Sequence, residues 1–500
     1  MQLRKDKWSY DHEKDSPRAM ESIPYSLYYG TFVDTPELGE IRIRTKCLIG
    51  VNQQGVIDFI HPDVEQPSVL EVFKHNYVHF DSVQSYFKYV DVSKSPSQFF
   101  FPGFIDTHIH ASQYPNVGIG LNIPLLDWLK IYTFSLENSF NKENFKVAKD
   151  IYTKVIKKTL TNGTTCASYF TTIDTDTSKL FGDLLLEFGQ RGFVGKVCMN
   201  HNTDYPEYQE TEAESLNSIK HLIEYFDGKN PEPETLVKPI ITPRFAPVCT
   251  RSLLKKLGQV STENNLPIQT HISENKGEIQ LVKKLFPECQ NYASVYDDHN
   301  LLSSSTILAH AIHLSDSECK LIKKKSCSIS HCPTSNTFIA SGEAPVKQYL
   351  YKHKINVSLG TDISGGFDPS ILGIVRQSIL VSHHLSMKTN NNSDKLSLND
   401  ALYMSTQAGA IAVGMESEIG TFDIGKKFDS QLIDLGGMSS SIDLFDWQLP
   451  NKSDDQDELQ SKILNLLNKW VFSGDDRNCL KVYVNGRLVL DKSNQWVLVN

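Results

Sequence analysis

The sequence predicts an α/β protein that consists of a (β/α)8 TIM-type barrel and a small β-sandwich built from the N- and C-terminal flanks. Three observations lead to this fold class. Short apolar runs alternate with amphipathic, helix-type segments from residue 99 to residue 414, histidines or carboxylates follow several of these runs, and both flanks carry short strand patterns. Strands that alternate with helices in this way are typical of a closed parallel barrel.

The barrel prediction depends on the apolar runs, which are rich in β-branched and aromatic residues. An open doubly wound sheet is the alternative fold, but no Gly-x-Gly-x-x-Gly sequence begins any of the intervening helices. The predicted strands are 99–110, 164–171, 193–200, 237–243, 267–273, 306–314, 327–331 and 356–362, and helix-type patterns cover 178–190, 213–226, 252–264, 276–286 and 316–325.

The two flanks carry strand patterns of a different kind, with Gly, Pro and Asp turns between them. Neither flank has enough strands for a stable domain of its own, so we expect one β-sandwich that both ends of the chain share. The predicted division is 1–98 and 415–500 for the two parts of the sandwich and 99–414 for the barrel. Asn485-Gly486 indicates a tight hairpin, and the acidic segment 443–462 is predicted to be an exposed insertion.

Composition excludes several classes of protein. The chain has 500 residues, is 40% hydrophobic and 22% charged, and has a net charge of −9, which favours a globular protein without a nucleic-acid-binding surface. Nine scattered cysteines without a Cys-x-x-Cys motif suggest free thiols in a reducing compartment. The polar N-terminus does not resemble a signal peptide, and no apolar run is long enough to span a membrane. These features predict a cytoplasmic location.

The segment Phe101–His110 is the most informative part of the chain. Its apolar run predicts a buried strand, and side chains alternate along a strand, so His108 and His110 should point to the same side. They would lie about 7 Å apart along the backbone, which is close enough to bind one metal ion. The carboxyl ends of barrel strands are where barrel enzymes keep their active sites.

Further polar residues follow the later strands in the order that a barrel requires. A cluster of three histidines and one carboxylate at one end of a barrel suits a zinc or ferrous ion with an open position for water. The candidates are His108 and His110 after strand one, His271 and Glu274 after strand five, His310 in strand six, His331 after strand seven and Asp362 after strand eight.

The chemistry of such a centre explains these residue types. Zinc lowers the pKa of bound water towards 7 and so supplies hydroxide at neutral pH. Asp362 could bind the metal and orient the hydroxide, while Glu274 could carry protons from the water to the substrate nitrogen. His310 could stabilise developing negative charge or orient the hydroxide. Alternatively, Glu274 could cap the helix predicted to begin at Lys276.

Six motifs carry a family resemblance, and it extends from about residue 26 to residue 436. They are Pro102-Gly-Phe-Ile-Asp-Thr-His-Ile-His-Ala-Ser-Gln-Tyr114, Pro124-Leu-Leu-Asp-Trp-Leu129, Thr242-Pro-Arg-Phe245, His271-Ile-Ser-Glu274, His331-Cys-Pro-Thr-Ser-Asn336 and Gly360-Thr-Asp362. Together they resemble the amidohydrolase superfamily, and the first and third motifs resemble its guanine deaminases most closely.

The resemblance implies a zinc-dependent hydrolysis of guanine to xanthine and ammonia, with hydroxide on the metal attacking the amino-bearing carbon. It also implies a homodimer and one zinc ion per chain. The implied metal ligands are His108, His110, His271 and Asp362; the implied catalytic residues are Glu274, His310 and Asp362; and the implied substrate-binding residues are His110, Gln113, Arg244, Phe245, His271, Glu274 and Asp362.

The chemistry of guanine agrees with three of these residues. The O6 and N7 acceptors of guanine suit the bidentate guanidinium of Arg244. Gln113 offers both a donor and an acceptor to the other ring nitrogens, and Phe245 offers an apolar face for stacking. Alternatively, Arg244 could form a structural ion pair at the barrel rim.

Other functions stay open at this point. A hydrolase of cyclic amides would need a bridging lysine at the end of strand four, where this chain has Arg244, because Lys238 lies at the opposite end of that strand. A mononuclear centre is therefore favoured. A deaminase of cytosine, adenine or S-adenosylhomocysteine is disfavoured only by the Gln113 and Arg244 pair. A non-catalytic scaffold is disfavoured because all the expected ligands are present.

Overall fold

The structure is a computed structural model that describes residues 24–65, 68, 71, 87–121, 123–230, 235–451 and 453–493. Residues 1–23 and 494–500 lie outside the described residues. They are the outer ends of the two predicted flanking parts, and the first includes the polar N-terminus. Across the described ranges, no helix combines the length and the apolar character that a membrane span requires.

The strands are numbered in chain order. They are β1 (Tyr25–Asp34), β2 (Arg42–Val51), β3 (Ile57–His61), β4 (Phe87–Asp91), β5 (Gln98–Pro102), β6 (Phe104–His110), β7 (Thr164–Phe170), β8 (Arg191–Gly195), β9 (Val197–Cys198), β10 (Val237–Pro239), β11 (Thr242–Pro243), β12 (Ile268–Ile272), β13 (Thr306–His310), β14 (Ser328–His331), β15 (Asn356–Leu359), β16 (Ser430–Asp434), β17 (Cys479–Val484) and β18 (Arg487–Asp491).

The α-helices are Leu125–Trp128, Phe134–Asn138, Phe145–Thr161, Thr175–Phe188, Glu212–Asp227, Arg251–Asn264, Lys276–Leu285, Tyr292–Asp298, Asp316–Lys324, Pro333–Phe338, Val346–Tyr351, Ile371–Thr389, Leu398–Ser405, Gln407–Ala412 and Gln456–Ser473. A π-helical turn, Leu129–Thr133, joins the first two of them. Short 3₁₀ turns lie at Ala111–Asn116, Lys142–Asn144, Ala246–Val248, Asn392–Asp394, Asp446–Gln448 and Asp476–Asn478.

The central strands are parallel and pair in chain order. One sheet has the order β10-β8-β7-β6, a second has β12-β13-β14-β15, and β9 pairs with β11. A parallel bridge between Ile241 and Ile268 joins the region of β11 to β12. At the other end, the amide of Asp362 donates to the carbonyl of His108 at 2.8 Å and the amide of His110 donates to the carbonyl of Ile363 at 3.0 Å. The first and last parallel strands are therefore hydrogen-bonded neighbours where the histidines lie.

The predicted strands and the observed ones differ mainly at breaks. The segment 99–110 is two strands, because β5 belongs to the flank sheet and β6 to the parallel strands. The chain changes direction at Gly103, where a Cβ would lie 2.1 Å from Oγ1 of Thr165, so only glycine permits this approach. The predicted strand 237–243 is also broken, after Pro239, since proline has no amide to continue a ladder.

The strands of the two flanks form one eight-stranded sheet with the order β18-β17-β16-β5-β1-β2-β3, and β4 pairs with β1. Both ends of the chain therefore contribute to the same sheet, as the sequence predicts. Residues 420–423 form no strand; the amide of Phe422 donates to Oδ2 of Asp34 at 2.8 Å.

The described residues of the acidic segment 443–462 are all exposed or half-buried, in agreement with the exposure that the sequence predicts. Its last residues begin the helix Gln456–Ser473, which buries one face. Trp470 on this face stacks on Phe104 at a ring distance of 5.7 Å and contacts Phe99 and Phe101 edge-on. The helix therefore packs where the flank sheet meets the first parallel strand.

Candidate metal centre and adjoining pocket

Four side chains converge at the carboxyl ends of the parallel strands. Nε2 of His108 and Nε2 of His110 lie 3.2 and 3.4 Å from Oδ1 of Asp362. Nε2 of His110 lies 3.2 Å from Nε2 of His271. One donor atom of each of these four residues lies within 4.8 Å of every other. The structure thus brings together the group of three histidines and one carboxylate that suits a metal ion.

The position of Asp362 depends on a carboxylate that the sequence analysis did not single out. Asp106 on β6 is fully buried and accepts hydrogen bonds from the hydroxyl of Thr361 at 2.5 Å and from its amide at 3.1 Å. The backbone of Asp362 is left-handed, with φ 47°. Asp106 therefore ties the end of β15 to β6, on which His108 and His110 lie.

The protonation states favour a cation at this place. Burial lowers the pKa of His108, His110 and His271, so these imidazoles are neutral, which is the form that binds metals. Burial opposes ionisation of Asp362, but the neighbouring His310 and His108 outweigh it and lower the pKa of that carboxyl. Within the described chain, Nε2 of His108 has no hydrogen-bond partner. A buried nitrogen lone pair of this kind is available to a metal ion.

Glu274 and His310 lie beside these four residues. Oε2 of Glu274 is 3.5 Å from Nε2 of His310, and the same nitrogen is 3.7 Å from Oδ2 of Asp362. Only 3% of the surface of Glu274 is exposed. Burial raises the pKa of Glu274 well above its ordinary value, and the charges of Asp362 and Glu278 add to the shift. This carboxyl is therefore suited to holding a proton near neutral pH.

The helix that follows Glu274 is capped by other residues. The side chain of Asn275 accepts from the backbone of Lys276–Leu285, and Glu278 completes a capping box. The amide of Glu274 donates to Oε2 of Glu278 at 2.9 Å. Asn275 and Glu278, and not Glu274, therefore cap this helix.

His331 lies in the core near the centre, but it is not one of the four converging residues. It is 1% exposed, and among the described residues neither ring nitrogen has a hydrogen-bond partner. Burial lowers the pKa of His331 to about 3, with a smaller contribution from His310. Strand position alone does not distinguish His331 from the converging residues, but the family resemblance leaves it out of the implied ligands, and the structure agrees.

A pocket opens directly above the centre. Leu125, Trp128 and Leu129 form one apolar wall of it, and Phe245, whose ring lies 6.4 Å from that of His271, adds an aromatic side chain. The combination of apolar walls and a few converging polar groups is typical of a small-molecule site. The polar lining residues are His110, Gln113, Arg244, His271, Glu274, His310 and Asp362.

Gln113 and Arg244 meet at a buried glutamate. Oε1 of Glu137 accepts from Nε2 of Gln113 at 2.8 Å, and Oε2 accepts from Nη1 of Arg244 at 2.5 Å. The guanidinium also lies over the ring of Phe134 at 5.3 Å. Arg244 therefore forms the ion pair that the sequence analysis gave as the alternative role for this residue. It also lines the pocket.

Sequence reasoning missed Glu137 and Asp106. Asp106 precedes the His-x-His pair by two residues, which places it on the same side of the strand and could have drawn attention to it. Glu137 gave a weaker signal, one of two carboxylates, with Asp127, in a segment rich in apolar residues from 123 to 140. A glutamate on such a face is rarely fully buried unless it is paired.

The comparisons with known proteins agree with this geometry. The pattern of the amidohydrolase family matches residues 99–489. The probable guanine deaminase of Schizosaccharomyces pombe is 44% identical over 94% of this chain and 84% of its own length, and the guanine deaminase of Homo sapiens is 38% identical over 94% and 97%. The chain belongs to the amidohydrolase family, and within it to the guanine deaminases.

A solved member of this family has the same fold. The guanine deaminase of C. acetobutylicum, with guanine bound in its active site, matches with a TM-score of 0.79 and 32% identity over 93% of this chain and 99% of its own. The likeness shows the α/β fold of the amidohydrolases, and it covers both the parallel strands and the flank sheet.

Proposed function

We propose that this chain hydrolyses guanine to xanthine and ammonia. The observation that carries the proposal is that three of the four residues of the candidate metal centre line the same pocket as Glu274 and the residues expected to bind a purine. Water and guanine are the substrates, and a carbon–oxygen bond forms where the carbon–nitrogen bond to the exocyclic amino group breaks.

The proposed cofactor is one zinc ion per chain, held by His108, His110, His271 and Asp362. Three imidazole nitrogens and one carboxylate oxygen suit zinc with an open position, and a cation there would satisfy the buried Nε2 of His108, which has no hydrogen-bond partner among the described residues. Bound zinc would lower the pKa of a coordinated water towards 7 and so provide a nucleophile at neutral pH. Among the described residues no lysine lines the pocket, which favours a single ion over a bridged pair.

Glu274 is the proposed proton carrier. Its raised pKa allows it to take a proton from the attacking water and pass it to the amino nitrogen, which leaves as ammonia. His310 lies between Glu274 and Asp362, where it can orient the water or stabilise negative charge on the ring. Asp362 accepts a hydrogen bond from the same water and fixes the direction of attack.

The proposed purine contacts come from three sides of the pocket. Arg244 binds the O6 and N7 edge, since guanidinium donors match two adjacent acceptors. Gln113 reads the remaining edge of the ring, and Phe245 packs on its face. His110, His271 and Asp362 face the carbon that carries the amino group because they lie around the proposed metal position.

We also propose that the parallel strands from β6 onwards close into a (β/α)8 barrel within the predicted range 99–414 and that the flank sheet, which takes β5 from this range, is a small β-sandwich. The hydrogen bonds between the ends of β6 and β15, and the bridge at Ile241 and Ile268, support closure of the ring. The homodimer and the cytoplasmic location stay predictions.

The test of this function is ammonia release from guanine, guanosine, adenine and cytosine at equal concentrations. Adenine carries an amino donor where Arg244 requires an acceptor, so a buried charge would be badly paired. A site built on polar recognition rejects such a misfit by roughly 10⁴-fold. Guanosine should also fail if the pocket encloses N9. Comparable rates on adenine or cytosine would exclude the guanine assignment and leave the metal-dependent hydrolase.

A further inference from the structure

Glu137 connects the two side chains that are expected to read the purine. It is completely buried, it lies on the helix Phe134–Asn138, and its two oxygens accept from different partners, Gln113 and Arg244. Phe134 on the same helix packs on the guanidinium. The short helix therefore contacts Arg244 through the carboxylate of Glu137 and the ring of Phe134.

The partners of Gln113 fix the orientation of its amide. A carboxylate can only accept a hydrogen bond, so the atom that faces Glu137 must be the amide nitrogen. A backbone amide can only donate, and that of Ser364 points to Oε1 of Gln113 at 3.3 Å. Both ends of the amide are thus assigned by partners with unambiguous roles. One hydrogen on Nε2 and one lone pair on Oε1 stay available for a ligand in the pocket.

The same glutamate balances the charge of Arg244. The side chain of Arg244 is 2% exposed and that of Glu137 is 0% exposed, so neither charge is solvated by water. Removing one partner of such a pair leaves an uncompensated charge in the interior. The charge of Asp362 contributes to the raised pKa of Arg244. The charge of Arg244 in turn acts to lower the pKa of Glu274. Asp362 and Glu274 are both required by the proposed chemistry. Without Glu137, the guanidinium of Arg244 would be attracted towards these two carboxylates.

We propose that Glu137 is a positioning residue that sets the substrate preference of the pocket by fixing the orientations of Gln113 and Arg244. It touches neither the reacting carbon nor the metal ligands. With Glu137 in place, the pocket presents one pattern of donors and acceptors to a flat heterocycle. Without it, only the backbone amide of Ser364 opposes a 180° rotation of the Gln113 amide, which would present the opposite pattern. This inference rests on the proposed function, since the reading of guanine is what it explains.

The experiment compares Glu137→Gln with the wild-type protein, with its native metal bound. The variant keeps the size of the side chain but loses its charge and one acceptor. We expect KM for guanine to rise at least about tenfold and the preference for guanine over adenine to fall by a similar factor, as the loss of one hydrogen bond to a charged group implies. The metal content should stay unchanged, and kcat should change less than KM.

A matched control is Glu210→Gln. Glu210 also forms a buried ion pair, with Lys196, and neither residue lines the pocket. The control should lose stability in the same way, as thermal unfolding measures, and keep the wild-type KM and substrate preference. Glu137→Asp is the second variant for the case in which Glu137→Gln does not fold, because it keeps the charge but withdraws the carboxylate. It should also raise KM.

The outcomes separate this inference from the function. If the wild-type protein releases no ammonia from guanine, the proposed function is wrong, and the inference falls with it. If the wild-type protein is active, and the folded variant at position 137 keeps the wild-type KM and preference, only the inference is wrong. A general loss of kcat at constant KM, or a loss of metal, would also overturn it.

Discussion

Nδ1 of His271 lies 2.7 Å from the backbone carbonyl oxygen of Arg244. The carbonyl can only accept, so Nδ1 carries the hydrogen and Nε2 presents a lone pair towards His110 and Asp362. The residue that is expected to read the purine therefore also orients a candidate metal ligand, but through its main chain. The side chain of Arg244 is expected to bind the purine and its carbonyl orients His271, so a side-chain mutation should affect only the first.

Replacing the side chain of Arg244 should weaken purine binding and spare the metal. We expect Arg244→Gln to lower kcat/KM for guanine by at least about 10²-fold, the cost of losing charge-assisted hydrogen bonds in a buried site. The carbonyl that orients His271 stays in place, so elemental analysis should give the wild-type metal content. A variant that loses its metal would contradict this separation.

Removing a proposed ligand should have the opposite signature. His108→Ala or Asp362→Ala should lose both the metal and the activity, because a site of four ligands would lose one of its donors. Elemental analysis of the wild-type protein should give one metal ion per chain. A strong chelator should abolish ammonia release, and zinc added back should restore it. Two ions per chain, or none in active protein, would exclude the mononuclear centre.

Glu274→Gln should separate binding from chemistry. The amide has the shape of the carboxylate but cannot carry a proton between water and the amino nitrogen. We expect turnover to fall by at least about 10²-fold, the usual contribution of a positioned general acid and base. Metal content and the affinity for guanine, measured by calorimetry, should change little. A near-normal turnover would remove Glu274 from the proton path.

Asp400 offers a test of the fold that does not depend on function. It is fully buried and accepts hydrogen bonds from Lys347 at 2.6 Å and from Tyr351 at 2.6 Å. Burial opposes its ionisation, but Lys347, Tyr351 and Ser397 outweigh this and lower the pKa of Asp400. A lowered pKa in the folded state adds stability above the unfolded value, and this stability is lost as the pH falls through the folded pKa.

Asp400→Asn should therefore reduce the free energy of unfolding by about 1.5–3 kcal/mol at pH 7, the range for hydrogen bonds to a charged group. The difference from the wild type should shrink below about pH 4, where an unfolded carboxyl takes up its proton. Urea unfolding at several pH values measures both. The control is Asp316→Asn, which removes an exposed ion pair with Lys320 and should change the free energy of unfolding far less than Asp400→Asn does.

The sequence by itself determined the order of the parallel strands and the residues at their carboxyl ends. Apolar runs and alternating side chains are local properties, so His108 and His110 could be assigned to one face without a structure. The same reasoning gave the helix Lys276–Leu285 to within one residue. It also indicated that both ends of the chain share a sheet, because neither end has enough strands alone.

Only the tertiary structure decided which polar residues meet. His271 and His331 both lie at strand ends, so local patterns alone do not separate them; the family resemblance implies only His271 as a ligand, and among the described residues the structure places only His271 with the other three converging side chains. The burial and pairing of Glu137 were equally hidden, since its partners are 24 and 107 residues away along the chain. The strand break at Gly103 depends on the close approach of the Thr165 side chain from a neighbouring strand. Contacts between distant segments depend on the packing of the whole molecule, so local sequence patterns do not predict them.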